Sequence, residues 1–509
     1  MTDPLALSAL AAALAVAVPL AGALAALLMG RHAGALVLAT GPGMALVTAA
    51  LVWGVAEGGA ARVAIGGFEP PLGIALVADG LAATFVATTL VVMVAALLLA
   101  RGSLVPRGED TRRGFAFVAL AHLAWGALNA VFLSGDLFNL YVALELLSLA
   151  AIALVAIEGK PETLAAAIRY ALFALVGSLL YLAGAILLYA QTGTLEIALI
   201  GAAAPAGVGP LVAGALMTAG LAAKTALFPL HAWLPPAHAG APAPASAILS
   251  ALVPKASFVI LARLWFEALP ETAMPALTQM LGALGAGAIV YGSLLAIRQE
   301  RLKLVIAYST VAQIGYLFLL FPLAGGTQMV QPSGAQSWAA GAWSGAMLHG
   351  VSHALAKAAM FLAAGLVAAR LGHDRIAGLS GLARAMPMTA FALGLAAVTL
   401  MGLPPSGGFI AKYLLLMAAF GSGQWVWAVV MLAGGLLAAI YLFPVLTRAF
   451  AKGEEKREAG APAGPLPGPA REAIPLALAL LAIALGFASA LPYALLAIGR
   501  PLAAMEGLE

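Results

Sequence analysis

The stretch AKTALFPLHAWLPPAHAGAPAP, residues 223–244, places a lysine inside an apolar segment and then interrupts that segment. Lys224 lies in a run that is otherwise apolar enough to cross a membrane, and five prolines follow within the next twenty residues. A proline inside a helix removes a backbone N–H and clashes with the preceding turn, so we expect the helix to break near Pro229. A buried charge beside a broken helix indicates a functional position in a membrane protein.

The composition of the whole chain agrees with this interpretation. Of its 509 residues, 63% are hydrophobic and 9% are charged, whereas soluble domains carry about 25% charged residues. The sequence therefore predicts an integral membrane protein and excludes a soluble enzyme. Because the chain has no cysteine, it cannot hold thiolate-bound iron–sulfur clusters. We expect no cofactor, no bound metal and no nucleic-acid partner.

Fourteen segments are long and apolar enough to cross a membrane, which takes about 20 residues. The predicted fold is an all-α integral membrane protein with about 14 transmembrane helices. The seventh predicted span breaks at Pro229, and the twelfth breaks at Pro404 and Pro405. The spans lie near residues 5–28, 35–55, 74–99, 115–133, 137–157, 164–190, 209–228, 245–266, 274–297, 302–322, 338–369, 386–420, 425–450 and 474–497.

The two broken spans indicate an internal repeat. Lys224 precedes the break at Pro229, whereas Lys412 follows the break at Pro404 and Pro405. Two halves with opposite orientation in the membrane produce this arrangement, which is a recurring transporter design. The alternative is a pair of proline kinks that only shape the packing. The predicted regions are 1–113 (helices 1–3), 114–272 (first inverted repeat, helices 4–8), 273–450 (second inverted repeat, helices 9–13), 451–473 (cytoplasmic linker) and 474–509 (helix 14 and the C-terminus).

Basic residues are divided unevenly between the predicted loops. Each loop takes the number of the span that it follows. Eighteen of the 25 lysines and arginines lie in or beside odd-numbered loops, and three lie on the other side, at Arg62, Arg263 and Arg500. The positive-inside rule then places the odd-numbered loops in the cytoplasm and both termini outside.

The remaining four lysines and one glutamate fall inside predicted spans. A lysine at the middle of a membrane helix costs about 3 kcal/mol on insertion scales. Residues that only stabilise the fold do not need this charge, so the set indicates function. The residues are Glu145, Lys224, Lys255, Lys357 and Lys412.

Two histidines extend this set. His349, His353 and Lys357 are spaced four residues apart, so a helix places them on one face. Histidine titrates near neutral pH, and such a stripe can pass protons when water joins its members. The alternative is a polar face that holds helices together.

Glu145 requires a cationic partner, and Lys224 is the natural candidate if the fifth and seventh spans adjoin. The pair could gate a proton, or it could be a static ion pair. Asp136 lies near the outer end of the fifth helix, where it is a candidate proton-uptake group or an N-cap after Ser134 and Gly135. We assign His231, in the stretch quoted first, a similar accessory role.

At these residues the chain resembles the antiporter-like subunits shared by respiratory complex I, membrane-bound hydrogenases and Mrp cation/proton antiporters. Four segments carry the resemblance, which covers nearly the whole chain. The segment SGDLFNLYVALELLSLA (134–150) is similar to the fifth-helix motif of the D-type subunits of Mrp antiporters. The others are residues 222–244, LHGVSHALAKAAMFLAAG (348–365) and GLPPSGGFIAKYLLL (402–416).

The resemblance implies a role for each buried group. Glu145 and Lys224 would form an ion pair, and Lys255 would be the central relay. His349, His353 and Lys357 would continue the path, and Lys412 would be its terminal group.

The resemblance also implies a function. We predict a proton-translocating subunit of a multisubunit Na⁺/H⁺ antiporter of the Mrp type, which is a secondary-transporter subunit and not an enzyme. Its partners would be the other antiporter subunits, H⁺, Na⁺ and the lipid of a bacterial-type inner membrane. The alternative is a proton-pumping subunit of complex I or a related hydrogenase, which would make the chain part of a translocase. A stand-alone solute carrier and an inert scaffold explain the buried charges less well.

Overall fold

Each predicted span has a helical counterpart in the structure, a computed structural model that describes residues 3–104, 112–270, 274–325, 335–453 and 466–501. Within these ranges, twelve helical stretches are long and apolar enough to cross a membrane. The first of them, Pro4–Gly58, contains two helices joined by a 3-10 turn. Two shorter apolar helices, Pro387–Met401 and Gly407–Gly421, account for the twelfth predicted span. The chain is a multi-pass integral membrane protein.

The helices of the described residues are numbered in chain order. They are α1 (Pro4–Met29), α2 (Leu36–Gly58), α3 (Gly80–Ser103), α4 (Arg112–Leu133), α5 (Leu137–Ala156), α6 (Pro161–Thr192), α7 (Ile197–Ala203), α8 (Val208–Thr225), α9 (Leu234–Gly240), α10 (Ala243–Ala251), α11 (Val253–Arg263), α12 (Pro275–Ile297), α13 (Leu302–Phe318), α14 (Leu320–Ala324), α15 (Ala335–Leu371), α16 (Leu382–Ala385), α17 (Pro387–Met401), α18 (Gly407–Gly421), α19 (Trp425–Phe450), α20 (Pro469–Phe487) and α21 (Ala490–Ala497).

A short antiparallel hairpin precedes the third helix, where the sequence predicted helix from residue 74. Strand β1 (Ala61–Ala64) pairs with β2 (Ala75–Ala78). Helix α3 then begins at Gly80, because the Asp79 side chain caps it by accepting a hydrogen bond from the backbone N–H of Ala82. The predicted start of the third span was therefore six residues early.

Both predicted breaks are present. Helix α8 ends at Thr225, Ala226 adopts a left-handed conformation with φ 60°, and Pro229 lies in the turn before α9. Helix α17 ends at Met401, and Pro404 and Pro405 lie in the turn before α18.

The second break ends directly after its two prolines. The Ser406 hydroxyl caps α18 by accepting from the N–H of Phe409, so Gly407 and Gly408 are the first residues of this helix. The eighth predicted span is also interrupted, at Leu252, which the sequence analysis did not predict. The second half-helix, α11, begins at Val253 with a proline at its second position.

The centre of the protein consists of α10, α11, α13 and α15. The apolar window of Ala243–Ala268 is entirely buried inside the protein, and α15 packs against α3, α10, α13, α17, α18 and α20. These central helices carry Lys255, His349, His353 and Lys357, so these four side chains are shielded from lipid as well as from water.

The structure changes the placement of one basic residue and does not describe several others. Arg263, which we assigned to an outer loop, is instead buried at the end of α11, where it forms ion pairs with Asp79 and Glu267. Three parts of the prediction lie outside the described residues. They are most of the predicted linker 451–473, the end of the chain from residue 502, and the basic residues Arg107, Lys456 and Arg457, which were used to predict the topology. The domain boundaries remain predictions.

Candidate functional site

Glu145 and Lys224 form the predicted ion pair. The Lys224 Nζ lies 3.0 Å from the Glu145 Oε1 and 2.9 Å from the Ser148 Oγ. The Ser178 hydroxyl, on α6, donates a hydrogen bond to the same Glu145 oxygen. The lysine side chain is 5% exposed and the glutamate side chain is 30% exposed. Three helices therefore hold the pair, and only its acidic member reaches the protein surface.

A close helix contact positions Lys224. Helices α6 and α8 approach each other at Gly177 and Gly220, and a Cβ atom on Gly220 would lie 2.3 Å from the Gly177 carbonyl oxygen. Only glycine fits at this distance, so side chains larger than hydrogen would push α8 away from α6. Lys224 is the last residue but one of α8, where the negative end of the helix dipole favours a cation.

The break in the eighth span provides the hydrogen-bond acceptor of Lys255. Its side chain is 0% exposed, and its Nζ donates a 2.7 Å hydrogen bond to the backbone oxygen of Ser250. Ser250 lies in the last turn of α10, where backbone carbonyls have no partner within their own helix. The interruption at Leu252 thus provides an acceptor for a buried ammonium group.

Lys412 makes the same kind of contact at the break in the twelfth span. Its Nζ donates to the backbone oxygens of Leu400 (2.9 Å) and Met401 (3.4 Å), which are the last two residues of α17. It also lies 4.3 Å from the centre of the Tyr316 ring, a favourable cation–π distance. Gly402, with φ 80°, leaves room for the lysine, since a Cβ there would lie 2.6 Å from the Lys412 Cδ.

The four buried lysines therefore differ in their partners. Lys224 has a carboxylate partner. Lys357 donates to the backbone oxygen of Ile306 at 2.9 Å and to the Ser309 hydroxyl. In the described part of the chain, no carboxylate lies within ion-pair distance of Lys255, Lys357 or Lys412. Neutral oxygens can accept from a charged lysine, and they leave no unpaired anion when the lysine gives up its proton.

A polar stripe on α13 lies beside Lys255 and Lys357, and it was not predicted from the sequence. Ser309, Thr310 and Gln313 are buried. The Thr310 hydroxyl lies 2.8 Å from the Ser250 hydroxyl and donates to Ile306 O at 3.0 Å. Lys255 donates to the backbone oxygen of Ser250 and Lys357 donates to Ile306 O. Thr310 therefore hydrogen-bonds one residue that binds each of these two lysines. The polar residues in YSTVAQIGY (308–316) are the sequence feature that could have predicted this stripe.

Gln313, one turn further along α13, lies between the terminal lysine and the histidine stripe. Its side-chain nitrogen donates to Leu400 O at 3.2 Å, the oxygen that also accepts from Lys412. Its backbone oxygen lies 3.2 Å from the His349 Nε2. Gln313 therefore contacts both an acceptor of Lys412 and a member of the histidine stripe.

His349, His353 and Lys357 lie along one face of α15, as their spacing predicted. His349 and His353 stack with ring centres 5.8 Å apart and planes 2° from parallel. Both nitrogens of His353 and the Nδ1 of His349 are buried and have no hydrogen-bond partner among the described residues. Since buried polar atoms normally have a protein or water partner, this part of the protein is suited to bind internal water.

His238, on α9, is a further buried histidine that the sequence analysis overlooked. It is 1% exposed and stacks on Phe361 at 4.7 Å between ring centres. Phe361 lies four residues beyond Lys357, so it continues the same face of α15. The signal was a histidine between prolines in LPPAHAGAP (234–242), which we read only as part of a break.

The two predicted accessory residues lie away from the central network. Asp136 is the N-cap of α5 and accepts a 2.7 Å hydrogen bond from the N–H of Asn139. Burial raises the pKa of its carboxyl group. His231 lies in the turn before α9, with its ring close to those of Phe228 and Tyr291.

Comparison with known proteins identifies the family to which this arrangement belongs. Residues 134–438, which include Glu145, the four buried lysines and the histidine stripe, match the family described as NADH:quinone oxidoreductase/Mrp antiporter, TM. The chain belongs to this family.

Individual relatives come from both branches that the family description names. The chain is 39% identical to the N subunit of the NADH-quinone oxidoreductase of Desulforudis audaxviator, over 77% of this chain and 76% of that protein. It is 30% identical to the D subunit of the Na(+)/H(+) antiporter of Alkalihalophilus pseudofirmus, over 81% of this chain and 80% of that protein. A chain in the structure of the Mrp complex from Dietzia sp. superimposes with a TM-score of 0.83 at 25% identity, covering 100% of this chain and 98% of that one.

These likenesses establish an antiporter-like membrane subunit of the kind found in Mrp antiporters or complex I. Because relatives of both kinds align over more than three quarters of the chain, they do not separate the two assemblies.

Proposed function

We propose that the chain conducts protons across the middle of the membrane along a line of buried groups. The line runs through Glu145, Lys224, Lys255, Lys357, His353, His349 and Lys412. The observation that carries the proposal is that three buried lysines, Lys255, Lys357 and Lys412, have only neutral acceptors among the described residues. Polar side chains of α13 hydrogen-bond beside each acceptor: Thr310 meets the Ser250 hydroxyl and Ile306 O, and Gln313 donates to Leu400 O. Lysines with a purely structural role would not need to be charged or to lie beside a polar stripe.

The Glu145–Lys224 pair acts as the gate at one end of the line. While the pair is closed, the carboxylate holds the proton on Lys224. When the carboxylate moves or becomes neutral, the ammonium loses its partner and its proton moves on. Between Lys224 and Lys255 the described residues provide no continuous hydrogen-bond chain, so this transfer requires water admitted at the break between α8 and α9.

The partly exposed Glu145 also supports a multisubunit assembly. Its neighbours Val142 and Leu149 on the same helix are 47% and 65% exposed, so this surface faces lipid or another protein. A carboxylate facing lipid near the middle of the membrane is costly. We therefore propose that another subunit covers this surface.

The assembly that we propose is a multisubunit Na⁺/H⁺ antiporter of the Mrp type in a bacterial-type inner membrane, with this chain as its D-like subunit. The superposition on a chain of an Mrp complex over the full length supports it. A redox-driven complex is the second candidate, which is favoured by the higher identity to an NADH-quinone oxidoreductase subunit.

Purification of the native complex together with a transport assay separates the two candidates. For the antiporter, we expect added Na⁺ to dissipate a preformed pH gradient in everted vesicles, and small membrane subunits to co-purify. Quinone-dependent formation of a pH gradient, with iron–sulfur subunits in the complex, would instead establish the redox assembly. Proton movement in neither assay would overturn the proposal of proton conduction.

The topology is tested by cysteine labelling, because the natural chain has no cysteine. Ala206, between α7 and α8, and Glu300, between α12 and α13, are exposed positions outside the helices. The proposed orientation has Ala206→Cys outside and Glu300→Cys in the cytoplasm. In intact cells, an impermeant maleimide should label only Ala206→Cys, and Glu300→Cys should react after the membrane is permeabilised. Labelling of both in intact cells contradicts this orientation.

A further inference from the structure

An apolar groove runs along α3 between α2 and α20. It consists of two cavities of about 550 and 580 Å³ that share Val91 and Leu481. On α3 the lining extends from Thr84 to Leu98, which spans about 21 Å at 1.5 Å per residue. The groove therefore covers much of the roughly 30 Å hydrocarbon thickness of a bilayer.

The lining presents no free polar group to an occupant. The hydroxyls of Thr84 and Thr88 are the polar side-chain groups of the lining, and both donate to carbonyls of their own helix. Shape and lining thus suit a hydrocarbon chain and do not suit a polar solute.

Two arginines mark one end of the groove. Arg101 lies three residues beyond Leu98 on α3, and Arg471 lies three residues before Ile474 on α20, so both continue the faces that line the groove. Neither side chain makes a hydrogen bond or ion pair with other described residues, and the Nε atom of Arg471 is buried. The apolar walls therefore lead to two cations that have no anion among the described residues.

We propose that this groove binds an anionic phospholipid, with an acyl chain along α3 and the headgroup phosphate at Arg101 and Arg471. Guanidinium groups bind phosphate oxygens through charge-assisted hydrogen bonds. Both arginines lie at the surface that the charge distribution assigns to the cytoplasm, the side where anionic lipids attract basic residues. An apolar helix of another subunit would fill the groove but would supply no anion to either arginine.

Native mass spectrometry tests the proposal. The purified complex is titrated with dioleoyl phosphatidylglycerol or with dioleoyl phosphatidylcholine, and the affinity for each lipid is measured. We expect tighter binding of phosphatidylglycerol. Each basic residue near an anionic lipid contributes about fivefold in affinity, so the double variant Arg101→Gln/Arg471→Gln should bind it about 25-fold more weakly. Arg298→Gln is the matched control, since Arg298 is an exposed arginine at the same predicted surface, directly after α12, which does not line the groove.

A second pair of variants tests the groove itself. Ala477→Trp should fill it and reduce the binding of both lipids, whereas Leu480→Trp, on the same helix but outside the lining, should not. Equal affinity of the natural chain for both lipids, or unchanged phosphatidylglycerol binding in the double arginine variant, would overturn the proposal. So would efficient cross-linking of Ala477→Cys to another subunit, which would show that a protein helix occupies the groove.

Discussion

Replacing Glu145 by glutamine or Lys224 by methionine is expected to lower proton translocation at least tenfold, and the double variant is expected to be no worse than either single one. The two side chains meet at 3.0 Å, so removal of either one destroys the gate. Residues that act as one unit show such non-additive losses. Proton movement in everted vesicles, normalised to the amount of assembled complex, is the measurement.

The control for this pair is Glu158→Gln. Glu158 also has basic neighbours, Arg113 and Lys160, but both are 3.7 Å away and more than half exposed. A surface pair of this kind contributes little, so we expect normal transport. Strictly additive losses in Glu145→Gln and Lys224→Met would show that the two residues act separately. Near-normal transport in either one would remove the pair from the mechanism.

Lys412→Met is expected to stop proton translocation almost completely while the complex still assembles. Methionine has a similar length and fills the same space, but it carries no proton. Lys412→Arg provides the sharper comparison. An arginine can still donate to the carbonyls of Leu400 and Met401, yet its guanidinium does not release a proton in proteins. If Lys412 carries protons, both variants fail. If it only binds the end of α17, the arginine variant transports normally, and our assignment is wrong.

Three further variants complete this test. Lys160→Met is the control, because the Lys160 side chain is 65% exposed and its ion-pair partner is Glu158. Gly402→Ala should resemble Lys412→Met, since its Cβ would displace the lysine side chain. A carboxylate is a poor replacement for Lys412, because the two backbone oxygens only accept hydrogen bonds. We therefore expect Lys412→Glu to be inactive as well.

The sequence was sufficient to predict that each span exists, the breaks at Pro229 and at Pro404 and Pro405, and the charged groups near them. Apolar length identifies a membrane helix, and proline locates a break because its effect on the backbone is local. The Glu145–Lys224 pair was predictable because an isolated intramembrane acid requires a cation. These inferences depend on local pattern or on simple charge balance.

The features that could not be predicted depend on tertiary contacts. Ser309, Thr310 and Gln313 look like ordinary polar substitutions in an apolar helix until α10, α15 and α17 are packed around them. The acceptor of Lys255 is a backbone carbonyl, which every residue has, so only the interruption at Leu252 distinguishes it. The β1–β2 hairpin was missed because its strands have four residues each, too few for a clear alternating pattern.

The partners of the buried lysines have an electrostatic consequence. Glu145 balances one ammonium group, so any proton on Lys255, Lys357 or Lys412 is an excess positive charge in a medium of low dielectric constant. Two such charges about 10 Å apart repel each other by about 1.7 kcal/mol at an effective dielectric constant of about 20. A second proton on the line is therefore disfavoured unless the first one leaves. We expect charge to travel by displacement, with each arriving proton expelling its predecessor.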